Sequence, residues 1–504
     1  MKKHLKRGFI CLVIFAMLMG LMSTLTFASM NIEQEYAIRY KGITNLYRDL
    51  LALPNLGNVM YVAAHPDDEN NAFLANLTWG FKVNGSYAVS NWGEGGDNWI
   101  GSELYGALGV IRSQELRSAR MYDGTKQFYW GAYDFGYSVS LAESLIDNNP
   151  VSDTYEQSGN WKWQIFAYNL ARLIRLDRPD VVISGHWGYG GHGQHQANGY
   201  ITAKAYELAA DPTYTVLDYD GNPLPAWEPA KLYASNTATY SRNPDGSTSG
   251  APADNLPGAP TLTVDSGVYD PLLGMSYAEW GRLGRGMHKC QNVSANAPKG
   301  ASSNTWGLKN KADWVALDDA ASLFGGVDIT YNRIWEEMAD PANQALLQPL
   351  VANLMTAVSN LIDNFDPFAI LASETDLAAC SGGLEAIQDM IATGSFPTEQ
   401  AVADGVTQHW LDLIRERLNG IAQRIFAVDV DITGNDYALT PGQTATITVT
   451  AWVRQAGAHD KVAFPATAMA DGKPTTIRVP EGWTVVGTDP TNISQGGVVV
   501  AKKY

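Results

Sequence analysis

His65-Pro66-Asp67-Asp68-Glu69 places one imidazole and three carboxylates in five consecutive residues. Neutral imidazole and carboxylate both ligate zinc. If the backbone turns after His65, then His65 and Asp68 converge on one ion. Asp67, between them, can stay off the metal and serve as a base toward water. An acidic turn in which an Asp caps the next helix would use the same residues. A second run, Gly185-His186-Trp187-Gly188-Tyr189-Gly190-Gly191-His192-Gly193-Gln194-His195, holds three of the chain's 8 histidines, and His65 is a fourth. A rare residue gathered in two short segments fits a two-histidine, one-aspartate zinc site with a position open to water. A histidine-rich surface loop is the plainer alternative.

The fold must bring these segments together, and the surrounding pattern says how. Asn58 to Ala64 is a compact apolar run of the kind found in buried parallel strands, and Ser86–Ser90 and Pro179–Ser184 are two more. A helical stretch covers Trp163–Leu176, and another runs from Gln196 to Ala210. Strands alternating with helices from Tyr36 to about Cys290 predict an α/β domain with a mostly parallel sheet, whose ligands sit at the carboxyl ends of the strands. Both candidate motifs follow such strands directly. From about Trp306 to Val428 the pattern becomes helical, with Leu411, Ile414, Leu418, Ile421 and Ile425 on one stripe. From Thr444 to Val453 it alternates strictly, and Pro441-Gly442 and Asp471-Gly472 supply turns, so residues 427–504 are expected to form a small β-sandwich-like module. That module would bind carbohydrate or another surface, or act as a spacer.

Composition sets the outer limits. The chain has 504 residues, 45% of them hydrophobic and only 17% charged, which excludes a mainly disordered protein. Its 35 basic and 52 acidic residues give a formal charge of −17, a poor basis for holding nucleic acid through phosphates. Lys2, Lys3, Lys6 and Arg7 precede an apolar run from Gly8 to about Met22, and Thr26-Phe27-Ala28 follows. Residues 1–28 therefore read as a secretory signal peptide, with a secreted, cell-surface or periplasmic product. No later segment is expected to span a membrane. Cys290 and Cys380 can pair after export or remain two buried thiols. The oligomeric state is not legible.

Ala64-His65-Pro66-Asp67-Asp68-Glu69 resembles the signature of the PIG-L/LmbE-like zinc-dependent N-deacetylases, and Gly191 to Ala197 resembles their second motif. Between them, Gly93-Glu94-Gly95-Gly96-Asp97-Asn98 and Gly109-Val110-Ile111-Arg112-Ser113-Gln114-Glu115 are similar to the larger secreted branch of that family. The similarity covers about residues 36–300. It implies a Rossmann-like sheet; with the residue pattern above, that domain is expected over residues 29–305, before the helical segment at 306–426. It also implies one catalytic zinc, or another divalent metal, and hydrolysis of an N-acetyl group on an amino sugar or glycoconjugate. His65, Asp68 and His195 would hold the zinc. Asp67 would be the general base, and His192 would stabilise the oxyanion or protonate the leaving amine. Many members carry Asp where this chain has Gln194, and that Asp is thought to orient the adjacent histidine. Arg112, three residues from Glu115 on a helix, would bind substrate hydroxyls with Glu115 holding it; a surface ion pair is the alternative. Asn98 would line the pocket. His288, in a run that also resembles a family motif, is either a pocket residue or a core histidine. An amidase for a non-sugar metabolite, and a carbohydrate-binding protein with a relic metal site, are the rival functions. Asp67 and Asp68 lie too close together to flank a glycosidic bond.

Overall fold

The computed structural model describes residues 42–145, 161–188, 191–235, 255–297, 299–336, 338, 340–392 and 406–428, and the backbone of strands at 240–242, 248–250, 429–434, 447–453, 493–494 and 499–503. The expected signal peptide and the turns at 441–442 and 471–472 lie outside these residues.

A seven-stranded sheet organises the α/β part. Its strands are β1 (Asn58–Ala63), β2 (Asn84–Val89), β3 (Lys126–Tyr129), β4 (Val181–Ser184), β5 (Lys231–Ser235), β6 (Leu262–Asp265) and β7 (Ser303–Lys311), in the order β6-β7-β5-β4-β1-β2-β3. Strands β5, β4, β1, β2 and β3 run parallel, while β7 is antiparallel to both β5 and β6. The expected strands are thus present, and β1 sits at the centre. Side chains alternate across a strand, and β1 buries both sets. Val59, Tyr61 and Ala63 join one apolar cluster, with Phe73, Leu77, Leu116 and Trp306. Met60 and Val62 join another, with Trp130, Phe166, Leu170 and Ile201. A strand buried on both faces needs a continuous apolar run, which is what Asn58–Ala63 supplies.

Helices cover both faces. These are α2 (Asn71–Ala75), α3 (Gly106–Asp123), α4 (Trp163–Asp177), α5 (Gly193–Ala210) and α6 (Tyr277–Arg285). The sheet runs past the expected boundary at residue 305, because Trp306 to Lys311 complete β7.

A third core lies beneath the sheet domain. Leu46, Leu50 and Leu53, from α1 (Ile43–Ala52) and its end, pack with α7 (Pro341–Asp363), α8 (Glu374–Met390) and α9 (Val406–Ile425). The predicted stripe from Leu411 to Ile425 is buried in this core. By length and apolar composition α7 is able to cross a membrane, contrary to the expectation for later segments. Its Leu347, Val351, Leu354, Val358 and Leu361 are committed to the helical core. Cys290 and Cys380 are separate buried thiols, so no disulfide joins them.

After α9 come β8 (Val428–Gly434), β9 (Ile447–Val453), β10 (Ile493–Ser494) and β11 (Val499–Lys503), in the order β8-β9-β11-β10. All neighbours are antiparallel. Among the described residues this is one four-stranded sheet, and the two facing sheets of the expected sandwich are not seen.

Candidate metal centre

The chain leaves β1 in a tight turn that its own side chains close. The Asp68 backbone N–H donates to His65 O at 3.1 Å. In return, Asp68 Oδ2 accepts the His65 backbone N–H at 2.7 Å. The same oxygen stands 3.0 Å from His65 Nδ1. Arg285, the last residue of α6, donates from Nη1 to Asp67 O at 2.9 Å and to Glu69 O at 3.0 Å. Tyr87 Oη donates to His65 O at 2.6 Å from β2. The turn is therefore held by its own carboxylate, by a strand and by a helix.

The second motif opens α5, three residues earlier than the sequence suggested. His192 is the N-cap, and its Nδ1 accepts the backbone N–H of Gln194 at 3.0 Å. Gly193 explains the early start. A Cβ there would lie 2.4 Å from Ser140 O and 2.5 Å from Ser144 Oγ, so only glycine lets the helix begin so close to that loop. His195 then falls in the first turn and points back at the β1 turn. Its Nε2 is 3.2 Å from His65 Nδ1 and 3.3 Å from Asp68 Oδ2.

His65, Asp68 and His195 thus bring three ligand atoms within 4.8 Å of one another. A tetrahedral zinc with bonds of about 2.0–2.1 Å sets its donors roughly 3.3 Å apart, so the spacing fits. Electrostatics fit as well. Burial opposes a charge on His65, yet Asp68 and Asp134 raise its pKa to about 9, the mark of a point that attracts positive charge. Burial also disfavours the Asp68 anion, but His186 and His195 hold its carboxyl well below the usual range.

Gln194 does something the sequence did not suggest. Its Oε1 accepts from His65 Nε2 at 2.8 Å, while its Nε2 donates to Asp134 Oδ1 at 3.1 Å and Gly136 O at 2.9 Å. With both amide donors engaged, the carbonyl oxygen can only accept, so His65 carries its proton on Nε2 and turns Nδ1 toward Asp68 and His195. Gln194 therefore orients His65, 129 residues away, and its side chain is not the partner of His192. Asp134, buried behind the amide, was missed because nothing near it in sequence marks it.

Asp67 also stands at the site, with its Oδ1 paired to Arg112 Nη2. Its Oδ2 has no hydrogen-bond partner among the described residues, and the side chain is 22% exposed. Arg112 is only 2% exposed and also donates to Gly93 O at 3.0 Å. Gly93 has φ +74°, and a Cβ there would meet the guanidinium at 2.3 Å, so the glycine-rich loop leaves the path Arg112 takes to Asp67. Glu115 does not hold Arg112. Its carboxylate accepts the Cys290 backbone N–H and Sγ–H, both at 2.8 Å. Asn98 is occupied within its own loop, donating to Glu103 O and accepting from Ile100 and Gly101 N–H. His288 is a core histidine, fully buried, with Nε2 2.8 Å from Glu69 Oε1.

His192 faces the same space. Its ring lies 5.2 Å from that of His65, and the exposed Tyr137 packs edge-on against it at 4.9 Å. Burial and the nearby His65 and His195 push its pKa down to about 4. The ring is neutral at pH 7, and with Nδ1 accepting, Nε2 bears the proton.

Residues 60–206 match the family described as PIG-L: GlcNAc-PI de-N-acetylase. The segment is thus similar to the PIG-L/LmbE-like de-N-acetylases. It runs from within β1 into α5 and so contains both halves of the candidate metal centre. A 1D-myo-inositol 2-acetamido-2-deoxy-alpha-D-glucopyranoside deacetylase of Thermomonospora curvata is 28% identical over 189 residues, which are 36% of this chain. The match spans 60% of that protein's length. Among solved structures, the N,N'-diacetylchitobiose deacetylase of Pyrococcus horikoshii aligns at TM-score 0.27 and 15% identity, over 43% of this chain and 73% of its own. The 4-carboxy-2-hydroxymuconate hydratase of Pseudomonas putida aligns at TM-score 0.30 and 14% identity, over 50% and 95%.

Proposed function

We propose that this protein is a zinc-dependent hydrolase that removes the acetyl group from an N-acetylated amino sugar or glycoconjugate. The observation that carries the reading is the convergence of His65, Asp68 and His195 inside a de-N-acetylase segment, with Asp67 beside them but tied to Arg112. His65, Asp68 and His195 would hold the zinc, which when bound supplies Lewis acidity and a more acidic water. Asp67 Oδ2 accepts the proton of the attacking water, while Arg112 fixes the carboxylate through Oδ1. His192 Nε2–H donates to the amide oxygen as negative charge gathers there. The water oxygen bonds to the acyl carbon, Asp67 passes the proton it took to the nitrogen as the C–N bond breaks, and the products are the free amine and acetate. The sugar as substrate is supported by the family of the segment and by Tyr137, 74% exposed and in contact with His192, which offers a ring face beside the reacting groups. Export is part of the same proposal; intact mass of the secreted product should show cleavage after Ala28.

Acetate release from a panel of N-acetyl sugars and N-acetyl amino acids tests the function. Turnover of at least one sugar, lost on chelation and restored by zinc, is the expected result. Release from the amino acids alone would replace the sugar with a non-sugar amide. Release unaffected by chelation would remove the metal from the reading.

A further inference from the structure

We propose that His186 is a fourth protein donor at this centre, its Nε2 binding the same divalent ion as His65, Asp68 and His195. The inference rests on the metal reading above and adds a residue to it. His186 follows β4 in the loop that leads to the second motif. Its Nε2 is 3.2 Å from Asp68 Oδ2, close to the 3.3 Å that separates His195 Nε2 from the same oxygen. The two rings stack, with centroids 3.8 Å apart and planes 16° from parallel. Two imidazoles thus present the same nitrogen to the same point.

That nitrogen of His186 is otherwise unused. It is buried and meets no hydrogen-bond geometry among the described residues, with Asp68 Oδ2 3.2 Å away as its ionic neighbour. A buried polar atom left so is costly, and an ion between it and the carboxylate removes the cost. The His186 backbone is held in place. Ser184 Oγ donates to His186 O at 2.6 Å, and a Cβ at Gly199 would lie 2.9 Å from that carbonyl. The backbone of His186 therefore lies directly against α5, the helix that carries His195. Three imidazoles and a carboxylate are a donor set that zinc accepts, and zinc can expand to five donors, which leaves room for water.

X-ray absorption at the zinc edge of the full-length, zinc-loaded protein counts the imidazoles. Three are expected in the wild type and two in His186→Phe, whose ring keeps the stack on His195 but has no nitrogen. Competition with a chromophoric chelator should show zinc affinity falling more than about 100-fold, beyond the 10–100-fold typical of losing an outer partner. Two imidazoles in the wild type overturn the proposal and leave the three-donor site standing. A wild type that holds no stoichiometric zinc overturns the metal reading itself. The wild-type count needs no variant, so a His186→Phe protein that fails to fold does not spoil the test.

Discussion

Asp67 and Asp68 are neighbours with opposite surroundings, and this divides their duties. Asp68 Oδ2 has three imidazole nitrogens within 3.3 Å, while Asp67 meets a guanidinium and solvent. Asp67→Asn should therefore keep zinc near one per chain and lower kcat by about 10²–10⁴-fold, the usual cost of losing a general base. Loss of zinc with activity restored by added metal would exchange the two roles. Gln194 supports the other side of the centre. Zinc-bound histidines hold their orientation through a bond at the second ring nitrogen. Gln194→Leu should weaken zinc binding by about 10–100-fold, measured by chelator competition, with secondary structure unchanged. Equal affinity would mean that His65 is positioned without the amide.

The elements behind the turn are tied by a buried ionic network. Glu69 Oε2 lies 3.1 Å from Arg120 of α3, its Oε1 meets His288 beyond α6, and Arg120 also reaches Asp123 at 2.7 Å. Arg120 and His288 hold the Glu69 carboxyl below its ordinary range even though burial works against the charge. Removing one partner of a buried pair typically costs about 3–5 kcal/mol. Glu69→Ala should cost that much in urea unfolding; a loss under about 1 kcal/mol would show that the network carries little. Strand β1 and stripe 411–425 were legible because a continuous apolar run and a period of 3.6 are written locally. The N-terminus of α5 was not, because Gly193 resembles a loop residue until Ser140 and Ser144 are seen against it. Strand β7 was not either. Its buried stretch from Trp306 to Lys309 includes glycine and lysine, so it carries no apolar alternation. A site of two histidines and an aspartate at the strand ends could be read from residue types, while the choice of His195 to join His65 and Asp68 came from the family resemblance. The partners of Gln194, Arg112 and Glu115 could not, since each is fixed by contacts across the fold.

At the scale of the whole molecule, the helical layer meets the underside of the sheet domain. His409 of α9 lies near that seam, packed edge-on against Trp410 at 4.8 Å. Burial, with Arg178, Lys126 and Arg333 nearby, pushes its pKa down to about 3. The unfolded chain takes up this proton near pH 6.5, the folded one only near 3. Stability is thus whole above pH 6.5 and falls as the pH drops toward 3, by at most about 1.4 kcal/mol per pH unit. Urea midpoints at pH 7 and pH 5 should differ less in His409→Gln than in the wild type; equal differences would clear His409 of the effect. The same seam joins distant parts of the chain. Arg417 of α9 donates to Ala52 O at 2.8 Å, a partner 365 residues earlier, and to Asn84 Oδ1 at 2.8 Å. Trp410, Leu411 and Ile414 share a core with Leu46, Leu50 and Leu53. A ribosome adding about 5–20 residues per second needs roughly 20–70 s to travel that distance. Through all of that time the leucines of α1 have emerged while α9 has not, and they present a sticky face to whatever is nearby. The first of the described helices to be synthesised is among the last to be covered, so a chaperone that holds α1 should help this protein more than one that acts on the finished chain.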